Sequence, residues 1–202
     1  MINIIIAILL LFSITLFTLH INFNKETFTT FTETQKWKQG LLDYALNIDE
    51  ERKQLVDHIL TLDIQPKFNK EQEVEDLIYL QNLRSQDDVQ HIINQLEIDG
   101  MLKYFNINKQ DYIESVKLIK YIQPIIYYLK KHFNRIRPSY LDKRIKPSVV
   151  VPHHPSYPSG HSMNSYIIAF YLSYKYPKDK SRFMTIADTI AKNREIGGVH
   201  YR

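Results

Sequence analysis

Seven residues in the last third of the chain have the chemistry of a phosphate site. They are Lys130, Arg137, Ser159, Gly160, His161, Arg194 and His200. A tetrahedral oxyanion needs fixed cationic donors, because a charge-assisted hydrogen bond is about twice as strong as a neutral one. The lysine and the two arginines supply such donors, and the two histidines can transfer protons or attack phosphorus near neutral pH. We therefore predict an anion-binding site built from separate sequence segments.

A short loop, from Pro155 to His161, stands at the centre of this set. Five of the eight prolines lie between residues 138 and 158, so the chain that leads into the loop is stiff and extended. The apolar run from Met163 to Tyr174 predicts a helix after the loop. Ser159 is then a natural N-cap, and Gly160 lets the backbone approach closely. The free N–H groups of such a helix start can bind an anion.

The order and spacing of three motifs resemble one known superfamily. Residues 130–138 read Lys-x6-Arg-Pro, residues 158–161 read Pro-Ser-Gly-His, and residues 194–200 read Arg-x5-His. Together they resemble the superfamily of type 2 phosphatidic acid phosphatases, bacterial class A nonspecific acid phosphatases and vanadium haloperoxidases. The stretches 154–157 and 197–201 are similar to the soluble acid-phosphatase branch. The resemblance extends over roughly residues 62–202.

No stretch beyond Val149 to Val151 has strand periodicity, so the sequence predicts an all-α fold, a helical bundle with the site at one end. The resemblance implies a bundle of this superfamily's type and the hydrolysis of a phosphate ester substrate. In that scheme His200 attacks phosphorus to form a phosphohistidine, and His161 protonates the leaving oxygen. The scheme needs no metal ion and no other cofactor. The equatorial phosphate oxygens are held by Lys130, Arg137, Ser159, Gly160 and Arg194.

Two departures from the superfamily pattern have consequences. Asn193 stands where the third motif usually has a serine, a change that keeps a polar side chain. The pattern also has an aspartate four residues after the second histidine, and that position lies beyond Arg202. We therefore expect an incomplete, C-terminally truncated domain that binds phosphate or vanadate but turns over weakly or not at all.

Other activities remain open at this point. The same motifs fit a vanadium-dependent haloperoxidase, in which vanadate is bound at His200 as cofactor. Chain length favours the phosphatase, because haloperoxidases are usually much longer. Lipid phosphate hydrolysis is less favoured, because the apolar stretch Ile167 to Ser173 is too short to span a bilayer. A membrane-anchored, non-catalytic member that binds anions or a partner is a further alternative.

Charge is distributed unevenly along the chain. The net charge is +4, but from residue 130 onward 14 Lys and Arg face 4 Asp and Glu, a formal charge of +10. This basic half contains the predicted anion site. No helix carries a regular basic stripe with interleaved aromatics, so we expect no nucleic-acid partner. His153 and His154 lack a third ligand at metal-binding spacing, and the absence of cysteine excludes disulfides and thiolate sites.

The N-terminal region predicts a membrane connection. Ile2 to Leu19 is an apolar run of 18 residues, just long enough to cross a bilayer. We predict a transmembrane anchor at residues 1–21, with a signal sequence as the alternative, followed by a linker at 22–38 and a phosphatase-like helical domain at 39–202. The domain would lie outside the cytosol, or be secreted if residues 1–21 are cleaved.

Apolar spacing predicts several further helices. They span residues 41–60 with a break near Asp49, Glu71 to Leu83, Asp87 to Ile98, Lys109 to Ile136 with a kink at Pro124, and Phe183 to Ile196. Gly100 is expected to cap the third of these. The charges of the two acidic helices, 71–83 and 87–98, are expected to form a solvated face. Lys130 and Arg137 would lie two turns apart on one helix face.

Overall fold

The computed structural model describes Trp37, residues 39–61 and residues 69–202 of the 202-residue chain. Across these residues the fold is helical and contains no β-strand. The helices are α1 (Gln39–Leu46), α2 (Glu50–Thr61), α3 (Lys70–Leu83), α4 (Gln86–Asn94), α5 (Ile98–Lys103), α6 (Lys109–Phe133), α7 (Pro138–Leu141), α8 (Gly160–Lys175) and α9 (Lys180–Ile196), with a 3-10 turn at Pro177–Asp179. The all-α prediction is confirmed for the described ranges.

Helices α6 and α8 form the centre of the bundle. On one side they pack with α2, and the shared core consists of Val56, Leu118, Ile122, Ile125, Ile126, Leu129, Phe133, Met163, Ile167 and Phe170. On the other side they pack with α5 and α9. That second core consists of Met101, Leu102, Phe105, Ile119, Ile168, Ala169, Leu172, Phe183, Ala187 and Ile190. Because α6 and α8 are buried on both sides, their ends are held in fixed positions.

Two predicted helix boundaries are confirmed. The break near Asp49 separates α1 from α2, and Asp49 Oδ1 accepts a hydrogen bond of 2.9 Å from the backbone N–H of Arg52. The predicted helix from Glu71 to Leu83 corresponds to α3, which Asn69 caps by accepting from the backbone N–H of Gln72. Short polar side chains therefore start these helices as their capping preferences predict.

The prediction for the following helix was wrong. Residues 87–98 do not form one helix that ends at Gly100, because α4 ends at Asn94 and Gly100 lies inside α5. A Cβ atom at Gly100 would lie 1.9 Å from the backbone oxygen of Asn94. Glycine is thus required for the close approach of α5 to the end of α4, and not for a helix cap. The chain turn between the two helices places Gln95 and Leu96 beside the site described below.

The end of α6 also differs from its prediction. The helix continues through Pro124 but stops at Phe133, because Asn134 has a left-handed backbone with φ 44° and its N–H bonds to the oxygen of Lys130. Asparagine adopts this conformation more readily than other non-glycine residues. Arg137 therefore does not share a helix face with Lys130 as predicted. It lies beyond the helix, just before Pro138 begins α7.

None of the helices in the described ranges has the length and apolar character needed to cross a bilayer. The predicted anchor at residues 1–21 lies outside those ranges, and so does most of the predicted linker at 22–38.

Candidate functional site

Lys130 lies in the last turn of α6 and points at the proline-rich loop. Its side chain is 1% exposed, and Nζ donates to the backbone oxygens of Pro155, at 3.0 Å, and Pro158. Burial lowers the pKa of Lys130 well below its usual value, and the nearby Arg137 lowers it further. Both oxygens that anchor the ammonium group to the loop are therefore neutral.

Arg137 connects three segments of the site. Its guanidinium donates to the backbone oxygens of His154 and Val199 at 2.9 and 2.8 Å, and Nη1 lies 3.0 Å from His200 Nε2. The side chain is fully buried, which lowers its pKa to about 9. It therefore remains cationic at neutral pH while it holds the loop and the C-terminal segment together.

Arg194 lies in the last turn of α9 and is 1% exposed. Nη2 donates to Gln95 Oε1 at 3.1 Å and to the backbone oxygen of Ile92 at 3.3 Å, whereas Nε is buried without a partner in the described residues. Burial lowers the pKa of Arg194 to about 10. Like the other two cations, Arg194 is oriented by neutral acceptors.

Ser159 caps α8 as predicted, and its Oγ accepts from the backbone N–H of Ser162 at 3.3 Å. Ser156 fixes the preceding loop, because its N–H and Oγ donate to the backbone oxygens of Arg135 and Ile136 at 2.8 Å each. A Cβ atom at Gly160 would meet only Ile126, at an ordinary 3.8 Å. The helix start is therefore open on the side of Gly160, where its N–H groups can receive an anion.

His200 follows the end of α9 and is 6% exposed. Gly198 has a φ of 69°, which turns the chain so that the N–H groups of Val199 and His200 bond to the backbone oxygen of Arg194. Burial, then Arg137 and Lys130, lower the pKa of His200 well below its usual value. Since a guanidinium can only donate, the bond from Arg137 requires a lone pair on Nε2 and a proton on Nδ1.

His161 lies in the first turn of α8. Its Nε2 donates to the backbone oxygen of Leu96 at 3.1 Å, which leaves Nδ1 as the nitrogen that can gain or lose a proton. Burial, then Arg194 and Lys130, lower the pKa of His161 to about 4. His161 in turn lowers the pKa of His200, so the histidines and the cations lie within electrostatic reach of one another. The structure therefore brings the seven predicted residues together.

A missed residue, His154, belongs to this cluster. Its Nδ1 accepts from Arg137 Nη2 at 3.0 Å, and its ring packs against Tyr127 and Trp37 with centroids 5.5 and 6.2 Å apart. Burial, then Lys130 and Arg137, lower the pKa of His154 to about 2, so it stays neutral. The sequence placed His154 in the stretch 154–157 that resembles the acid-phosphatase branch, but gave it no role in the site. Its position directly before the loop was the available signal.

The acidic helices also contribute more than the solvated face that we predicted. Glu73 of α3 forms a buried ion pair of 2.5 Å with Arg135, whose guanidinium lies 3.6 Å from the ring centroid of Tyr201. Gln95, at the end of α4, is fully buried, and its Oε1 accepts from Asn193 Nδ2 at 3.0 Å. Periodicity gave no signal for either contact, because both partners are distant in sequence.

A cavity of about 600 Å³ opens beside Ser159 and His200. Its wall is mostly apolar, formed among others by Leu129, Phe133 and Met163. A substituent attached to a phosphate at the site has space in this direction.

Residues 113–202 match the family model of the PAP2 superfamily. The match includes the seven predicted site residues, whereas α3, α4 and α5 precede it. A search of curated proteins finds no match to the chain. Members of the PAP2 superfamily are generally phosphatases. Residues 113–202 therefore form a PAP2 superfamily domain.

Proposed function

We propose that this protein hydrolyses phosphoric monoesters through a phosphohistidine intermediate. One observation carries the proposal. Lys130, Arg137 and Arg194 are at most 1% exposed, and none of them pairs with a carboxylate in the ranges that the structure describes. Burying charge without a counter-charge is costly. A bound dianion supplies that counter-charge, and the PAP2 superfamily domain makes a phosphate ester the expected anion.

His200 acts as the nucleophile. Its Nε2 lone pair attacks phosphorus, an N–P bond forms, and the bond between phosphorus and the ester oxygen breaks in line. The low pKa of His200 keeps the imidazole neutral, and thus nucleophilic, in mildly acidic solution. The hydrogen bond from Arg137 Nη1 to Nε2, 3.0 Å long, breaks as the lone pair turns to phosphorus, and Nη1 then donates to a phosphoryl oxygen.

His161 acts as the proton donor. Nδ1 gives its proton to the departing ester oxygen, which leaves as an alcohol. The neutral His161 then takes a proton from the water that attacks the phosphohistidine. The N–P bond breaks, its electron pair returns to His200, and inorganic phosphate is released. Lys130, Arg194 and the N–H groups at Ser159 and Gly160 hold the equatorial oxygens throughout.

The test is to trap the intermediate. Wild-type protein is mixed briefly with a ³²P-labelled aryl phosphate and denatured in alkali, in which a phosphohistidine survives. We expect label on His200, no label in His200→Ala, and competition by orthovanadate. An unlabelled wild-type protein that also fails to bind phosphate would overturn the proposal.

The haloperoxidase alternative predicts a different result and is tested by a separate assay. Vanadate-dependent halide oxidation by hydrogen peroxide, without any phosphohistidine, would move the assignment to that activity. The motifs and the cations are the same in both cases, so only the reaction separates them.

A further inference from the structure

The end of α4 contacts two of the proposed site residues at once. The backbone oxygen of Leu96 accepts from His161 Nε2, and the backbone oxygen of Ile92 accepts from Arg194 Nη2. Gln95, between them, contacts Arg194 with its side chain. This segment precedes the PAP2 superfamily match at residues 113–202, so the motifs do not include it.

The side chain of Gln95 is oriented by two donors. Oε1 accepts from Asn193 Nδ2 at 3.0 Å and from Arg194 Nη2 at 3.1 Å, which identifies the oxygen of the amide. Gln95 is 0% exposed, and its Nε2 is buried without a partner in the described residues. The same holds for Arg194 Nε. One N–H-bearing atom of the guanidinium and one of the adjacent amide are therefore buried without an acceptor in the described residues, as expected where an anionic ligand is bound.

Gln95 is uncharged, and this matters for the charge that Arg194 presents to an anion. A carboxylate at this position would also orient Arg194, but it would cancel the positive charge that the anion needs. An amide oxygen and a backbone oxygen fix the guanidinium plane and leave its full charge available. The Asn193 side chain completes the arrangement, because it directs the Gln95 oxygen toward Arg194.

We infer that Gln95 is a positioning residue for anion binding: it holds the Arg194 guanidinium through a neutral oxygen so that the cation stays unneutralised for the phosphoryl group. This inference rests on the proposed function. It assigns a role in the phosphate site to a residue outside the PAP2 superfamily domain, on the helix pair α3 and α4.

The test compares two replacements of Gln95. Gln95→Glu keeps an acceptor for Arg194 and Asn193 but adds a negative charge, whereas Gln95→Met keeps the volume and removes the acceptor. We expect phosphate to bind about 10- to 100-fold more weakly to both variants: Gln95→Met loses the charge-assisted hydrogen bond that orients Arg194, and Gln95→Glu places a negative charge beside the anion. Gln95→Glu should keep a Tm near that of the wild type, because the buried contact persists. Calorimetric titration and thermal unfolding give the two quantities.

Two controls assign the effect to Arg194. Gln90→Glu adds the same charge to the exposed face of α4, and phosphate affinity should change less than about twofold, since exposed charges are screened by salt. In an Arg194→Gln background, Gln95→Met should have little further effect, because the residue it positions is gone.

The outcomes separate the two proposals. Wild-type affinity in both Gln95 variants, with weakened binding in Arg194→Gln, would overturn the role of Gln95 and leave the proposed function intact. A wild-type protein that binds neither phosphate nor orthovanadate would overturn both.

Discussion

At one end of the α6 and α8 pair, the Asp111 carboxylate contacts the Lys175 ammonium and accepts a 2.7 Å hydrogen bond from the Tyr176 hydroxyl. At the other end, Lys130 Nζ donates to the backbone oxygens of Pro155 and Pro158. Both ends bury a charged residue of α6, since Asp111 and Lys130 are each 1% exposed. Within the residues that the structure describes, Asp111 has a counter-charge and Lys130 does not.

The pKa shifts follow this difference. Burial raises the pKa of Asp111, but hydrogen bonds from Lys175 and Tyr176 outweigh burial, and the pKa lies below its usual value. The contact with Asp111 likewise raises the pKa of Lys175. Burial lowers the pKa of Lys130, and the positive charge of Arg137 lowers it further. The Asp111 end is therefore complete as a structural ion pair, whereas the Lys130 end is stabilised fully only when an anion arrives.

Replacing the lysine at each end should have opposite consequences, and this is the largest expected effect. Lys130→Met should weaken phosphate binding at least about 100-fold, because it removes a buried charged donor. It should not lower the Tm of the ligand-free protein, because it also removes an uncompensated charge. Lys175→Met should leave phosphate affinity within about twofold but lower the Tm by roughly 2–4 °C.

Calorimetric titration with phosphate and thermal unfolding with and without it measure both quantities. Bound phosphate should raise the Tm of the wild type and of Lys175→Met, but not that of Lys130→Met. A Lys130→Met protein that keeps wild-type affinity would contradict the assignment of this end as the anion site.

The pH dependence of kcat/KM should show that the site works in acid. This parameter reports the free protein, in which His161 must carry a proton to act as the acid. Burial, then Arg194, lower its pKa to about 4, so the protonated fraction falls about tenfold for each pH unit above 4. Over the same range the dianionic fraction of the ester, whose second ionisation lies near pH 6, rises about tenfold. We therefore expect kcat/KM to fall about tenfold from pH 5 to pH 7. His200 does not limit the acid side, because its own pKa lies well below its usual value.

The control for this prediction is His161→Gln, which retains only the pH dependence of the ester, whose second ionisation lies near pH 6. A bound dianion favours protonated His161, so the kcat profile should extend to higher pH than that of kcat/KM. A value of kcat/KM that rises from pH 5 to pH 7 would exclude His161 as the acid.

Much of the site could be predicted from the sequence, because local rules determine it. The Ser159 cap follows from the capping preferences of serine, and the spacing from Arg194 to His200 follows from a helix end with Gly198 in a left-handed conformation. The first motif assigned Lys130 and Arg137 to the same site, and only the helix face predicted for them was wrong. They converge because α6 ends at Asn134, and not because they share a helix face.

The remaining contacts depend on which helices meet. Gln95 reaches Arg194, and Glu73 reaches Arg135, only after α3 and α4 have packed against the end of the bundle. Helical periodicity describes one element and contains no information on a polar partner 99 or 62 residues away. Gly100 shows the same limit, because glycine is required there by the close approach of Asn94, which belongs to a different helix.

Glu73 provides an internal contrast at the anion end, since its partner Arg135 is a cation that does have a carboxylate. The two side chains are 14% and 6% exposed. Glu73→Gln should lower the free energy of unfolding by roughly 2–4 kcal/mol, because it breaks a buried ion pair. Phosphate affinity should change less than about threefold.

Urea unfolding and calorimetric titration are the measurements, and Glu71→Gln, on the exposed face of α3, is the matched control with no expected change. Loss of phosphate binding without loss of stability would place Arg135 with the anion-binding cations instead of with the structural pairs.

The smallest expected effect is that of Arg144→Ala. This variant tests whether phosphate is bound by the buried cations of the site or attracted by the overall positive charge. Arg144 is 59% exposed and pairs with Glu75 at 2.8 Å and Asp142 at 2.9 Å. Like Lys130→Met, this replacement reduces the net charge of +4 by one. We expect phosphate affinity within about twofold of the wild type at 150 mM salt and a Tm within about 1 °C, because exposed ion pairs contribute little and are screened. If Arg144→Ala weakened phosphate binding as strongly as Lys130→Met, the excess of positive charge, and not the unpaired buried cations, would be what attracts the anion.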